Sequence, residues 1–182
     1  MSGNKNLNHS RPAVPRLFFA LWPPTEIREQ LIAMNKTILA NGRCTRDENL
    51  HVTLRFLGSV TDDQLPCIEQ VASNIKASPF EFILDRLVFK QRQEMIWLTT
   101  DQPVPAQLDS LVNQLEDGLQ ECGFSPAKYS YKPHVTMRQK VNKTKILQEQ
   151  AQVKWLVDAF VLVSSKTHQE GAEYSVVKEW KF

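Results

Sequence analysis

The chain has 182 residues, of which 42% are hydrophobic and 23% are charged. This composition is ordinary for a globular protein, and the length suits one domain or two closely packed lobes. The formal net charge is +2, but residues 1–16 contain three basic and no acidic residues, so the remainder is close to neutral. A near-neutral body argues against a broad nucleic-acid-binding surface, which requires clustered Lys and Arg.

The three cysteines, Cys44, Cys67 and Cys122, share no close spacing. A disulfide framework or a zinc site would need pairs or short repeats, so we predict reduced thiols and a cytoplasmic location. No apolar run is long enough to span a membrane, and the chain starts without the apolar stretch of a signal peptide. We predict that residues 1–15 are a disordered tail and that residues 16–182 are a single folded domain.

The first half of the chain predicts a strand, a helix, a second strand and a second helix. Residues 16–24, RLFFALWPP, form an apolar and aromatic-rich run that is typical of a buried strand. We expect Thr25 to cap the helix that follows. The apolar face of this helix contains Ile27, Leu31, Met34 and Ile38. The second strand covers residues 49–58, and Thr61 opens the second helix in a capping box with Gln64.

The second half predicts more strands and one long helix. The strands are at residues 80–90, 94–100, 134–140, 158–167 and 173–180. The helix lies between the second and third of these strands, starts after Pro105 and stops at Gly123. Its apolar face contains Leu108, Leu111, Leu115 and Leu119. Strands and helices in this order indicate an α+β fold with mixed or antiparallel sheets.

One short motif occurs twice, as NLHVTLRFLG from residue 49 and as YKPHVTMRQK from residue 131. In a strand, side chains alternate between the two faces, so the His, Thr and Arg of each copy are expected to share one face. These residues are His51, Thr53 and Arg55 in the first copy and His134, Thr136 and Arg138 in the second. The copies lie about half the chain apart, so a pseudo-twofold arrangement of the halves would bring the two polar faces together in a cleft.

Two facing histidines suit paired acid–base catalysis, in which one imidazole removes a proton and the other supplies one. Threonine hydroxyls donate hydrogen bonds to an oxyanion, and an arginine pairs with it. This set describes phosphodiester cleavage without a metal. A metal site is the weaker interpretation, because no carboxylate accompanies the two histidines. A nucleophilic triad is weaker still, because neither motif contains a Ser or Cys at a sharp turn.

The motifs and their flanks resemble a known family. The two His-x-Thr elements, the opening RLFFALWPP, the strand HVTLRFLG and the ending SSKTHQEGAEYSVVKEW are similar to the bacterial and archaeal RNA 2′,3′-cyclic phosphodiesterases. These enzymes are also named 2′-5′ RNA ligases and belong to the 2H phosphoesterase superfamily. The resemblance covers the chain from about residue 16 to its end.

The resemblance implies a bilobal, pseudo-twofold α+β fold, with two sheets flanking a central cleft, helices on the outside and residues 16–182 as one catalytic domain. It implies hydrolysis of an RNA terminal 2′,3′-cyclic phosphate to a 2′-phosphate, with neither metal nor cofactor. His51 would be the proton donor and His134 the proton acceptor. The phosphate-binding residues would be Thr53, Thr136 and Arg138.

The expected partners are RNA ends that carry a 2′,3′-cyclic phosphate, such as tRNA halves, or cyclic nucleotides. We expect a monomer, since the repeat supplies internally what a dimer would. Three alternatives stay open at this point. They are 2′-5′ ligation as the reverse reaction, hydrolysis of a small-molecule cyclic phosphodiester, and a non-catalytic module that binds RNA ends.

The second motif departs from the family pattern in its charges. The family usually has a basic residue at the fifth position after the histidine, where this chain has Gln139, flanked by Arg138 and Lys140. The pattern therefore leaves open whether Arg55, Arg138 or Lys140 contacts the phosphate.

Overall fold

The computed structural model describes residues 16–144, 152–168 and 171–182. The predicted tail, residues 1–15, lies outside the described residues. The three helices in this part of the chain are α1 (Thr25–Thr37), α2 (Leu65–Asn74) and α3 (Ala106–Glu121). None of them is long and apolar enough to cross a lipid bilayer.

The described residues contain ten strands. They are β1 (Arg16–Leu21), β2 (Arg43–Cys44), β3 (Val52–Ser59), β4 (Phe80–Leu84), β5 (Arg86–Lys90), β6 (Met95–Thr99), β7 (Val135–Gln139), β8 (Val153–Val157), β9 (Ala159–His168) and β10 (Gly171–Lys181). Eight of them form one sheet in the order β10-β9-β1-β3-β7-β6-β5, with β2 added beside β7. The other two, β4 and β8, form a separate sheet. Every described pair is antiparallel, which confirms the α+β class.

The large sheet consists of two similar halves. Strands β9-β1-β3 form one half and β5-β6-β7 the other, and the halves join where Val52 of β3 pairs with Val135 of β7. In each half the chain runs from the middle strand through a long helix, α1 or α3, to the strand that carries the motif. The two motif strands are therefore neighbours at the centre of the sheet.

The main core contains the apolar faces predicted from helical periodicity. Ile27, Leu31 and Met34 of α1 are buried, as is Ile38 directly after the helix. Leu108, Leu111, Leu115 and Leu119 of α3 are buried as well. Each such side chain contributes about 1.5–3 kcal/mol when fully removed from water. Gly123, with a φ of 84°, follows α3 as predicted, in the left-handed conformation that glycine adopts without a steric penalty.

The predicted strand over residues 80–90 is wrong, because it is two strands in different sheets. The chain breaks at Asp85, whose backbone N–H donates to the Thr99 carbonyl (2.9 Å) and whose carboxylate accepts from the Asp101 N–H (2.8 Å). An aspartate that binds nearby backbone in this way favours a turn over a continuous ladder. β4 instead pairs with β8, a strand that the sequence analysis did not identify.

Two predicted helix starts also differ. Thr25 is the first helical residue and makes no capping hydrogen bond, because Pro24 occupies the cap position. Helix α2 begins at Leu65, after a turn in which the Thr61 N–H donates to the Gln64 side-chain oxygen (3.2 Å). The Thr61–Gln64 interaction therefore forms, but it holds the turn that precedes the helix.

The prediction of three reduced thiols is wrong for two of them, because Cys67 and Cys122 form a disulfide. Cys44 is a free, exposed thiol. The bonded cysteines lie 55 residues apart, and they meet because α2 packs against the end of α3. A Cβ at Gly118 of α3 would lie 2.6 Å from a methyl group of Val71, so the glycine permits this close approach. Sequence spacing does not reveal a contact made by helix packing.

Candidate active site

The two motif histidines and threonines lie on one face of the central strand pair. Val52 and Val135 are fully buried, so their neighbours along each strand point to the opposite face. An antiparallel register continued by one residue on either side of this pair would set His51 against Thr136 and Thr53 against His134. The structure brings all four polar side chains into one cleft of about 1230 Å³.

Both histidines are held through Nδ1 by a backbone carbonyl two residues earlier in the chain. Nδ1 of His51 donates to the Asn49 oxygen (2.6 Å), and Nδ1 of His134 donates to the Lys132 oxygen (2.7 Å). A carbonyl can only accept, so Nδ1 carries the hydrogen in each ring, and Nε2 has the lone pair when the ring is neutral. The Thr53 hydroxyl lies 3.0 Å from Nε2 of His51 and donates to it in this state.

His51 is enclosed by aromatic rings. Its ring centroid lies 4.9 Å from that of Phe18, 5.7 Å from that of Trp22 and 5.4 Å from that of Tyr174. The pKa of His51 is lowered from its ordinary value to about 4. Burial is the main cause and the charges of His134 and Arg28 add to it, while the hydrogen bond to the Asn49 carbonyl opposes the shift. The free site therefore holds His51 neutral.

Asn49 fixes the carbonyl that orients His51. Its side chain is buried, and its Nδ2 donates to the backbone oxygen of Ala172 at the start of β10 (2.8 Å). The loop that enters β3 is thereby tied to β10, the edge strand beside β9. Lys132, which supplies the corresponding carbonyl for His134, is exposed.

His134 has a more open setting than His51. Its ring stacks on Trp97 of β6, with 3.6 Å between centroids and 13° between planes. The Nζ of Lys90 lies 4.8 Å from the centroid of the same indole. Burial lowers the pKa of His134, and the charge of Lys90 lowers it further, against the effect of the Lys132 carbonyl.

A β-bulge follows the threonine in each motif and changes the direction of the arginine. In β3 the extra residue is Leu54, so Thr53 pairs with Ala20 whereas Arg55 pairs with Phe19. In β7 the extra residue is Met137. There Thr136 pairs with Trp97 and Arg138 pairs with Ile96. Phe19 and Ile96 belong to the main core, so each bulge turns its arginine out of the row formed by His and Thr, although Arg55 still lines the cleft.

The two arginines therefore connect the halves of the fold. Arg55 of the first half pairs through Nε with Glu116 of α3 in the second half (2.8 Å). Arg138 of the second half donates to the carbonyls of Asn35 (3.2 Å) and Ala40 (2.7 Å), at the end of α1 in the first half and just beyond it. A carboxylate already neutralises Arg55, which lies in the cleft wall.

Arg138 lies apart from the other residues predicted to bind phosphate. It does not belong to the described lining of the cleft, and its guanidinium is bound by carbonyls at the end of α1. The physical reason for this placement is the bulge at Met137, and phosphate binding by Arg138 stays a prediction. Lys140 also lies outside the cleft lining.

Further cations line the cleft away from the motif strands and were not predicted from the sequence. They are Arg43, Arg46, Lys90 and Lys132. Arg43 lies on the two-residue strand β2, which is too short to leave a periodic signal. Lys90 ends β5, and its place beside the cleft follows from strand pairing over a long sequence separation. The described residues contain no group of three or more His, Cys, Asp or Glu side chains that could hold a metal ion.

Comparison with known proteins agrees with this architecture. The family model for LigT-like phosphoesterases matches residues 21–97. The RNA 2′,3′-cyclic phosphodiesterase of Escherichia coli is 30% identical over 168 residues, which cover 91% of this chain and 95% of that protein. The crystal structure of E. coli LigT complexed with 3′-AMP superposes with a TM-score of 0.84 and 30% identity, covering 92% of this chain and 98% of that one. The phosphate complex of E. coli LigT gives a TM-score of 0.81 at 28% identity, covering 93% of this chain and 99% of that one.

Two His-x-Thr strands that meet in one cleft of a duplicated α+β fold define an enzyme of the 2H phosphoesterase class. Within that class, the chain belongs to the LigT-like phosphoesterase family.

Proposed function

We propose that this enzyme hydrolyses the terminal 2′,3′-cyclic phosphate of RNA to a 2′-phosphate, without a metal ion. The observation that carries the proposal is the pair of histidines in one cleft, each with Nδ1 bound to a carbonyl and Nε2 available for proton transfer. The name of the E. coli relative and the 3′-AMP and phosphate complexes of E. coli LigT support a phosphorylated RNA end as the substrate.

In the proposed step, Nε2 of His134 removes a proton from water while the water oxygen attacks phosphorus. The bond between phosphorus and O3′ breaks, and Nε2 of protonated His51 donates its proton to O3′. The products are a 2′-phosphate and a 3′-hydroxyl, with His51 neutral and His134 protonated. Proton exchange with solvent then restores both residues. Positioned groups of this kind each contribute about 10²–10⁴-fold to the rate.

The surroundings of the histidines support this division of roles. His51 is neutral in the free site because it is buried. The same low dielectric strengthens its attraction to a bound phosphate anion, so we expect substrate binding to raise the pKa of His51 and to load it with the proton it donates. The positive charge of Lys90 favours the neutral form of His134, which is the form that a base requires.

The threonines complete the phosphate site in this proposal. While His51 is neutral, the Thr53 hydroxyl donates to its Nε2. Once Nε2 carries a proton it no longer accepts, and the hydroxyl becomes available to a phosphate oxygen. Thr136 lines the same cleft as His51, and in this proposal its hydroxyl donates to a second phosphate oxygen.

The proposal is tested with an oligoribonucleotide that ends in a 2′,3′-cyclic phosphate, incubated with enzyme in excess EDTA. The expected product is the 2′-phosphate, identified by ³¹P NMR. The His51→Ala and His134→Ala variants should each lose at least about 10²-fold in kcat. The proposal fails if the intact enzyme does not open the ring, if EDTA abolishes turnover, or if both variants retain the original rate.

A further inference from the structure

The sheet register places Lys90 on the same face as the active-site residues. Trp97 pairs with Thr136 on one side and with Val88 on the other. Lys90 lies two residues beyond Val88 along β5, so its side chain points to the same face. It is the diagonal neighbour of Trp97, and a long side chain reaches across such a diagonal. A row of side chains thus runs from the motif strand outward to an ammonium group.

The first half of the fold has no equivalent of this row. The residue paired with the motif threonine is Ala20 in the first half and Trp97 in the second. At the outer strand, the position that corresponds to Lys90 is Val163, which is fully buried. The sheet positions of Trp97 and Lys90 are therefore apolar in the first half, where His51 instead stacks on Trp22 and the Arg28 guanidinium lies 5.3 Å from the centroid of that ring.

Lys90 is the cation of the second half whose charge lowers the pKa of His134. Its Nζ lies 4.8 Å from the Trp97 ring centroid, and that ring stacks on His134. No carboxylate among the described residues forms an ion pair with it. Arg55, in contrast, is neutralised by Glu116, and Arg138 lies outside the cleft lining.

We propose that Lys90 contacts a non-bridging oxygen of the bound phosphate on the His134 side and is a further catalytic residue. This inference rests on the proposed function. When His134 removes a proton from the attacking water, negative charge accumulates on the phosphate oxygens. A fixed cation beside these phosphate oxygens stabilises the transition state more than the ground state. Its charge also adds to the larger effect of burial in lowering the pKa of His134.

The test compares Lys90→Met, Lys90→Arg and the matched control Lys154→Met. Lys154 is an exposed residue of β8 outside the cleft lining, so its replacement removes the same charge elsewhere. Each protein is assayed with a nucleoside 2′,3′-cyclic monophosphate and with a trinucleotide that ends in the cyclic phosphate. We expect Lys90→Met to lose about 10²-fold in kcat/KM on both substrates. Lys90→Arg should recover most of that loss, and Lys154→Met should match the original enzyme.

Several outcomes would overturn the inference. Full activity of Lys90→Met on both substrates would remove Lys90 from the reaction. A loss confined to the trinucleotide would show that Lys90 binds a backbone phosphate instead of the reacting one. If the intact enzyme opens neither cyclic phosphate, the proposed function fails by itself, and titration calorimetry with inorganic phosphate then decides about Lys90. Weaker phosphate binding by Lys90→Met, but not by Lys154→Met, would support the contact, and equal binding by all would refute it.

Discussion

The two halves of the sheet carry the same motif and the same bulge, yet they surround their histidines differently. His51 is packed among three aromatic rings and oriented by a buried asparagine, whereas His134 stacks on one indole beside a lysine. The duplicated backbone places two imidazoles in equivalent positions. The side chains around each ring then give the two imidazoles different chemistry, which is what paired acid and base catalysis requires.

The largest expected effect separates acid from base. His51→Gln and His134→Gln should each lower kcat on the cyclic phosphate by about 10³-fold. A nucleoside nitrophenyl phosphodiester has a leaving group that needs no proton, so His51→Gln should lose far less on this substrate. His134→Gln should remain impaired on both, because water still has to be activated. Equal recovery by the two variants in stopped-flow assays would contradict the assigned roles.

The second prediction concerns stability against pH. The pKa of His51 is about 4 in the folded chain and about 6.5 when unfolded, so between these values the unfolded state binds more protons. This contribution to stability is complete above pH 6.5 and is lost as the pH falls toward 4, by about 3 kcal/mol. Urea unfolding of His51→Gln should show a correspondingly smaller loss over the same range. An identical pH dependence in both proteins would mean that His51 is not held neutral.

The third prediction tests whether Arg138 stabilises the fold or binds the substrate phosphate. Arg138→Met leaves the carbonyls of Asn35 and Ala40 without their donor, so the free energy of unfolding should fall by about 2 kcal/mol. The KM for the cyclic phosphate should stay close to the original value. A large rise in KM with unchanged stability would restore Arg138 to the phosphate site.

The smallest expected effects are those of replacing Asn49 and Lys132, whose backbone carbonyls orient His51 and His134. Asn49→Ala keeps the carbonyl but removes its anchor to Ala172, so kcat should fall by about 10-fold with little change in KM. Lys132→Ala should have a weaker effect, because the Lys132 side chain is exposed and the carbonyl again remains. Steady-state kinetics of both variants would test this order, and a larger loss in Lys132→Ala would reverse it.

Much of the fold could be predicted from periodicity. The apolar faces of α1 and α3 follow the helical repeat, and alternation along the motif strands correctly puts His51 and Thr53 on the face opposite Val52. Patterns of this kind depend only on residues that are close together in the sequence, so they can be recognised in a single sequence.

The remaining features depend on contacts between distant segments. The bulges at Leu54 and Met137 break the alternation and turn the arginines out of the row of His and Thr, although no turn residue marks either position. The Cys67–Cys122 disulfide exists because α2 packs on α3, and Lys90 reaches the cleft only because β5 pairs with β6. The bulges, the disulfide and the position of Lys90 all depend on tertiary packing, which cannot be predicted from the residue pattern of one segment.

The central claim is that the two histidines take opposite roles in one phosphate site. Titration of the ¹⁵N-labelled histidines by NMR, with and without inorganic phosphate, tests it most directly. Without phosphate at pH 6, His51 should be neutral with its hydrogen on Nδ1. With phosphate bound, His51 should carry hydrogens on both nitrogens while His134 stays neutral. Protonation of His134 with His51 unchanged would contradict the account.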